Sequence, residues 1–86
     1  MRERELAEWM WEELERDGVL TLDRVVREVL ETTGGEYVRI NRGGNWSASR
    51  VLRKAFAKVA GDRAVWDEAH RCWRRTPAGE PEESRD

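Results

Sequence analysis

Apolar side chains recur at helical spacing in three stretches of the chain. The first stretch, from Glu3 to Asp17, repeats its apolar positions every four residues. The second, from Leu22 to Thr33, and the third, from Ser47 to Ala60, place them at i, i+3, i+4 and i+7. Because this spacing gathers apolar side chains on one face, it predicts three amphipathic helices.

Polar residues and glycines at the ends of these stretches support the helix assignments. Thr21 suits the N-cap of the second helix, and either Asn45 or Ser47 suits that of the third. A residue in the left-handed conformation commonly follows a helix. A glycine stands just after each predicted helix, at Gly18, Gly34 and Gly61.

The last ordered part of the chain has the pattern of a β-hairpin. Ala64–Asp67 and Cys72–Arg75 are expected to pair around a turn at Glu68–Arg71. In that register Trp66 lies opposite Trp73, and a cross-strand aromatic pair stabilises a hairpin and covers a core.

Two further segments favour extended structure. Tyr37–Ile40 alternates apolar and polar residues and leads into Asn41–Asn45, whose asparagines and glycines are typical of a turn. Val19–Leu20 suits a short strand after the first helix.

The predicted fold class is therefore α+β, with three helices and a C-terminal hairpin. This order of elements is that of a winged helix-turn-helix domain, with Ser47–Ala60 as recognition helix and Ala64–Arg75 as wing.

The length of 86 residues indicates one domain, expected to span residues 1–76. A chain this short buries only about 60% of its unfolded surface, so the core is thin. Five tryptophans enlarge that core. Residues 77–86 are polar, acidic and contain proline, and we expect them to form a disordered tail.

Cysteine content and hydropathy restrict the compartment and the class of protein. Cys72 is the only cysteine, which excludes an internal disulfide and fits a reducing cytoplasm. The charged N-terminus has no apolar signal-peptide segment, and no run approaches the roughly 18 apolar residues of a membrane span. The sequence thus predicts a cytoplasmic protein without membrane association.

Charge is segregated along the chain although the net charge is only −2. Residues 1–37 carry −6, residues 38–76 carry +7 and residues 77–86 carry −3. Such asymmetry indicates a surface for an acidic partner, although a highly charged domain can also segregate charge by chance.

The sequence also resembles a family of short, uncharacterised bacterial proteins. The resemblance covers roughly residues 6 to 75 and implies a fold but no activity. The matching residues are Trp9-Met10, Gly18-Val19-Leu20, Tyr37-Val38-Arg39-Ile40-Asn41, Gly44-Asn45, Val51-Leu52-Arg53-Lys54-Ala55-Phe56, Trp66 and Trp73-Arg74.

One feature departs from the winged-helix pattern: the link Gly34–Trp46 is too long for the tight turn of an ordinary helix-turn-helix unit.

The third helix and the wing hold the candidate binding residues. The face opposite the apolar stripe carries Ser47, Arg50, Arg53, Lys54 and Ala57, with no acidic residue. Guanidinium groups grip phosphate or guanine with two parallel bonds, so this face favours double-stranded DNA as the partner. Neutralisation by acids of the first helix is the alternative that the sequence leaves open. The wing adds Arg71, Arg74 and Arg75, and neighbouring loops add Arg39, Arg42 and Arg63.

A protein partner or a homodimer is the competing hypothesis. Trp11 lies off the apolar stripe of the first helix, so it is either exposed as a partner contact or packed on another element.

Asn41–Asn45 precedes a helix, where an anion can bind, but the turn itself explains its glycines. His70 and Cys72 are too few for a zinc site, and no catalytic triad or paired carboxylates are visible. We therefore expect no enzyme, metal or cofactor.

Overall fold

The computed structural model describes residues 3–76, so the expected acidic tail at residues 77–86 lies outside it. The predicted α+β class is confirmed, with three helices and antiparallel strands. In chain order the helices and strands are α1 (Glu3–Asp17), β1 (Val19–Thr21), α2 (Leu22–Thr33), β2 (Val38–Ile40), β3 (Trp46–Ala48), α3 (Arg50–Ala60), a 3-10 turn (Gly61–Arg63), β4 (Ala64–Asp67) and β5 (Cys72–Arg75).

The first two helices follow the predicted bounds because their caps are those the sequence indicated. Gly18, with φ of 81°, ends α1 and donates its backbone N–H to the Leu14 carbonyl at 2.8 Å. Thr21 caps α2, since its hydroxyl oxygen accepts a hydrogen bond from the Arg24 N–H at 3.2 Å.

The third helix begins three residues later than predicted. Ser49 is its N-cap, with the hydroxyl oxygen accepting from the Leu52 N–H at 3.3 Å. Ser47 and Ala48, expected in the helix, belong to β3 instead and are buried there. The prediction was wrong because Ala48 continues the helical apolar repeat, whereas pairing with β2 fixes residues 46–48 as a strand.

A three-stranded antiparallel sheet joins the two ends of the described chain, in the order β1-β5-β4. The predicted hairpin and the short strand after α1 are both confirmed. Trp66 lies opposite Trp73 as expected, with ring centroids 4.7 Å apart in an edge-to-face arrangement.

The long link between α2 and α3 folds as a second hairpin, made of β2 and β3. Asn41 closes its turn, because its side-chain oxygen accepts hydrogen bonds from the backbone N–H groups of Gly43 and Asn45, at 2.9 and 3.0 Å. Gly44 has φ of 81°, a conformation that side chains disfavour. Two hairpins therefore flank α3 along the chain.

The core lies where α1 and α3 pack together with α2 and one face of the sheet. Its buried residues include Leu6, Ala7, Met10, Leu14, Leu20, Leu22, Val25, Val26, Val29, Tyr37, Ala48, Leu52, Phe56, Ala60 and Trp73. Two residues of the predicted apolar stripes lie outside it, since Val51 is 53% exposed and Leu30 is 37% exposed. One charged residue of α1, Glu13, is buried and only 6% exposed.

Candidate functional site

The solvent face of α3 carries a row of three cations, which we call the basic stripe: Arg50, Lys54 and Lys58. All three side chains are exposed, and residues four apart on a helix lie on one side. Within residues 3–76 none of them forms an ion pair. The stripe is therefore available to an external anion.

Arg53 does not belong to this outward face, contrary to the sequence-based expectation. Its Nε donates to the Ala48 carbonyl at 3.3 Å, and an Nη donates to the Ser47 hydroxyl oxygen at 3.0 Å. The guanidinium also lies 5.1 Å from the Trp66 ring centroid and 5.7 Å from that of Trp73. These contacts are the physical reason that Arg53 turns toward the sheet.

Arg53 is partly buried and lies near charges of both signs. Burial lowers the pKa of its guanidinium from the ordinary value, and the charges of Arg71 and Arg39 lower that pKa further, against an opposing effect of Glu68. Arg53 is thus held in place by its packing on the tryptophans.

The three predicted wing arginines differ from one another. Arg74 is engaged by Asp67, with its Nε 2.9 Å from a carboxylate oxygen. Arg75 is exposed at the end of β5, and Arg71 is half-buried in the hairpin turn. Arg71 has φ of 51°, the only non-glycine residue described in residues 3–76 with a positive φ. Arg71 and Arg75, in contrast, form no ion pair with any residue between 3 and 76.

An open cleft of about 530 Å³ lies between the two hairpins at the start of α3. We call it the arginine cleft, because five arginines line it. The full lining is Leu22, Arg39, Asn41, Arg42, Gly43, Ser47, Ala48, Arg50, Arg53, Trp66, Glu68 and Arg71. Glu68 is the single carboxylate, and its oxygen accepts a hydrogen bond from the Trp66 Nε1 at 2.6 Å.

The acids of α1 do not neutralise these arginines within the described chain. Glu13 instead binds Arg16 and Arg24 through one carboxylate oxygen, at 2.6 and 2.5 Å. Glu8 pairs with Arg4 at 3.1 Å. The ion pairs seen between described residues of α1 therefore lie within α1 or join it to α2. Glu3 of α1 lies beside Lys54 and Lys58 in a groove along α3.

Trp11 packs on another element of the same chain. The Arg63 guanidinium carbon lies 4.1 Å from its ring centroid, and Arg63 also donates to the carbonyls of Val59 and Ala60. Trp11 is half-buried against the core. Trp46, which the sequence also left as either a partner contact or a residue packed at the start of α3, is 48% exposed.

The remaining candidate chemistry does not assemble into a site. Cys72 is buried in β5, whereas His70 lies in the exposed turn with its Nδ1 2.8 Å from an Asp67 oxygen. Among residues 3–76, no group of three or more His, Cys, Asp or Glu side chains could hold a metal ion. In the same part of the chain, no helix has the length and apolar character needed to cross a membrane.

A family model matches residues 2–75, which is most of the chain. The chain belongs to DUF6953, a family of unknown function. The expected membership of an uncharacterised family is thereby confirmed. Comparisons with curated proteins and with solved structures give no match. The function of this DUF6953 member is therefore argued from its own geometry.

Proposed function

We propose that this protein binds double-stranded DNA, with α3 and the C-terminal hairpin as the contacting elements. The observation that carries the proposal is the basic stripe, Arg50, Lys54 and Lys58, which is exposed and has no carboxylate partner within residues 3–76. An unpaired row of cations on one helix face matches the phosphates that flank a DNA groove.

The order of elements supports this proposal. The strand between α1 and α2 pairs with the last strand of the C-terminal hairpin, and that hairpin follows α3. A winged-helix domain has this order, and it commonly places its third helix in the major groove and the hairpin beside it. The β2–β3 hairpin lengthens the link before α3 and is an addition to that pattern.

Salt dependence tests the proposal and should differ between two single-charge variants. Lys54→Gln removes one cation of the basic stripe, and Arg27→Gln removes one exposed cation of α2 as a matched control. In a fluorescence-anisotropy titration of a short labelled duplex, log affinity should fall with log salt by about 0.9 per neutralised phosphate. Lys54→Gln should weaken binding and reduce that slope by about 1, whereas Arg27→Gln should change neither.

Two results would contradict DNA binding by α3. One is the absence of binding by the unmodified protein even at low salt. The other is an equal loss of affinity in Lys54→Gln and Arg27→Gln, since that would mean a response to net charge rather than to the stripe.

A homodimer or another protein partner is the second candidate function. One observation favours it: Ile40 and Trp46 face each other across the β2–β3 hairpin and are 50% and 48% exposed. Light scattering over a wide range of protein concentration should then show a dimer that Trp46→Ala dissociates. A monomer at every concentration removes the homodimer, and Trp11→Phe is the control because Trp11 already has a partner in Arg63.

A cytoplasmic location is part of this proposal. Its support is Cys72, a free and buried thiol that is compatible with a reducing compartment.

A further inference from the structure

The arginine cleft concentrates positive charge from three separate parts of the chain. Arg39 and Arg42 come from the β2–β3 hairpin, Arg50 and Arg53 from α3, and Arg71 from the turn of the β4–β5 hairpin. Like charges brought this close repel one another, and the fold keeps them together without a matching set of carboxylates. An anionic ligand would relieve that repulsion.

Arg53 gives the cleft a fixed donor at its floor. A guanidinium has five N–H groups. Two of those of Arg53 are used, by the Ala48 carbonyl and the Ser47 hydroxyl, and the other three have no acceptor within residues 3–76. The rings of Trp66 and Trp73 pack against the same guanidinium. A partly buried guanidinium with unused donors, facing an open cleft, is arranged to bind an oxyanion.

The size and chemistry of the cleft indicate which oxyanion. Its volume of about 530 Å³ leaves room for a phosphate group together with part of the molecule that carries it. It falls within the range of about 300–1,000 Å³ that holds small organic ligands. Several guanidinium groups lining one cleft favour a multiply charged oxyanion over a singly charged carboxylate.

We propose that the arginine cleft is a phosphate-binding site that holds one phosphate group of a bound nucleic acid. Arg53 forms the rigid floor, while Arg39, Arg42, Arg50 and Arg71 close around the phosphate oxygens from the rim. This assignment rests on the proposed function and extends the interface beyond α3 and the C-terminal hairpin to the β2–β3 hairpin. A free phosphorylated small molecule presents the same chemistry, and the experiment separates the two sources.

The test uses pyrophosphate as the probe and the double variant Arg39→Gln/Arg42→Gln. Both arginines are exposed and form no ion pair within the described chain, so the variant should fold, which circular dichroism checks. Pyrophosphate should raise the melting temperature of the unmodified protein at constant ionic strength, because a ligand that binds only the folded state stabilises it. The double variant should lose this shift and bind the DNA duplex about tenfold more weakly.

A second variant distinguishes binding through the shape of the guanidinium from a response to positive charge alone. Arg53→Lys keeps the charge but removes the planar fork, so it should also lose the pyrophosphate shift. Arg27→Gln, on α2 and outside the cleft lining, should keep both the shift and the DNA affinity.

Three outcomes would overturn all or part of the assignment. An equal melting shift in the unmodified protein and in Arg39→Gln/Arg42→Gln would mean that pyrophosphate acts elsewhere. Unchanged DNA affinity in that variant, with a loss in Lys54→Gln, would remove the cleft from the interface and leave the proposed function intact. A pyrophosphate shift specific to the cleft, without any DNA binding, would overturn nucleic acid as the source and indicate a phosphorylated small molecule.

Discussion

Asp67 shows at the scale of one residue how the C-terminal hairpin is fixed. Its carboxylate accepts hydrogen bonds from the Arg74 Nε at 2.9 Å and from the His70 backbone N–H at 3.2 Å, and lies 2.8 Å from the His70 ring nitrogen. Arg74 first, and then His70, lower the pKa of Asp67 from 3.8 to about 2. The carboxylate therefore stabilises the folded hairpin in its charged form.

This contact makes the stability of the protein depend on pH in the acid range. A folded-state pKa below the unfolded one gives stability that is present above about pH 4 and is lost as the pH falls toward 2. The melting temperature of Asp67→Asn should lie below that of the unmodified protein at pH 5, and the gap should narrow steadily as the pH falls to 2. A gap of constant size across this range would show that Asp67 acts without its charge.

The sequence predicted which elements carry the exposed cations, but it did not predict the orientation of each side chain. Arg50 and Lys54 are exposed as predicted, whereas Arg53 stacks on two tryptophans. A hydropathy pattern counts arginine as polar and cannot show that its flat guanidinium packs well on an aromatic ring. The burial of Glu13 is likewise absent from the hydropathy pattern, because it depends on arginines of two helices.

At the scale of elements, the start of α3 decides which side chains reach the cleft. Ser49 ends β3 and caps the helix, so Arg50 becomes the first helical residue beside the arginine cleft. Asn45, which the sequence offered as an alternative cap, lies in the turn of the β2–β3 hairpin and is exposed. The cap is thus the junction between a strand that faces the cleft and the helix that carries the basic stripe.

Removing the cap should destabilise the protein by an amount typical of an N-cap. Ser49→Ala should lower the free energy of unfolding by about 1 kcal/mol, measured by urea denaturation. Asn45→Ala is the control and should change it by less than about 0.5 kcal/mol, since the side chain caps no helix. The reverse order of the two effects would support the helix start that the sequence predicted.

Elements with strong local signals were predicted well. The C-terminal hairpin has two tryptophans in register and a turn between them, and α2 has both caps in its sequence. Strand β3 was missed because Ala48 continues the apolar repeat of α3. Its strand conformation depends on pairing with Val38–Ile40, which is a contact between separate segments that no local pattern contains.

At the scale of the whole molecule, the acidic and basic parts of the sequence differ in whether their charged residues form ion pairs. The buried carboxylate of Glu13 ties α1 to α2 through Arg24, so acidic residues of the first half serve packing between helices. Around the arginine cleft and along the basic stripe, the cations form no ion pair with another described residue. The sequence showed this division of charge, but the cleft could not be predicted, because residues from β2 to the last hairpin turn assemble it only after folding.

The backbone of Arg71 has a consequence for protein engineering. A side chain in the left-handed region costs about 1 kcal/mol relative to glycine, so a redesign that optimises stability alone would select glycine at this turn. That choice would improve the fold and remove one of the five guanidinium groups of the cleft. Position 71 should therefore be held fixed in any stabilised version of this domain that is used to test the proposed phosphate site.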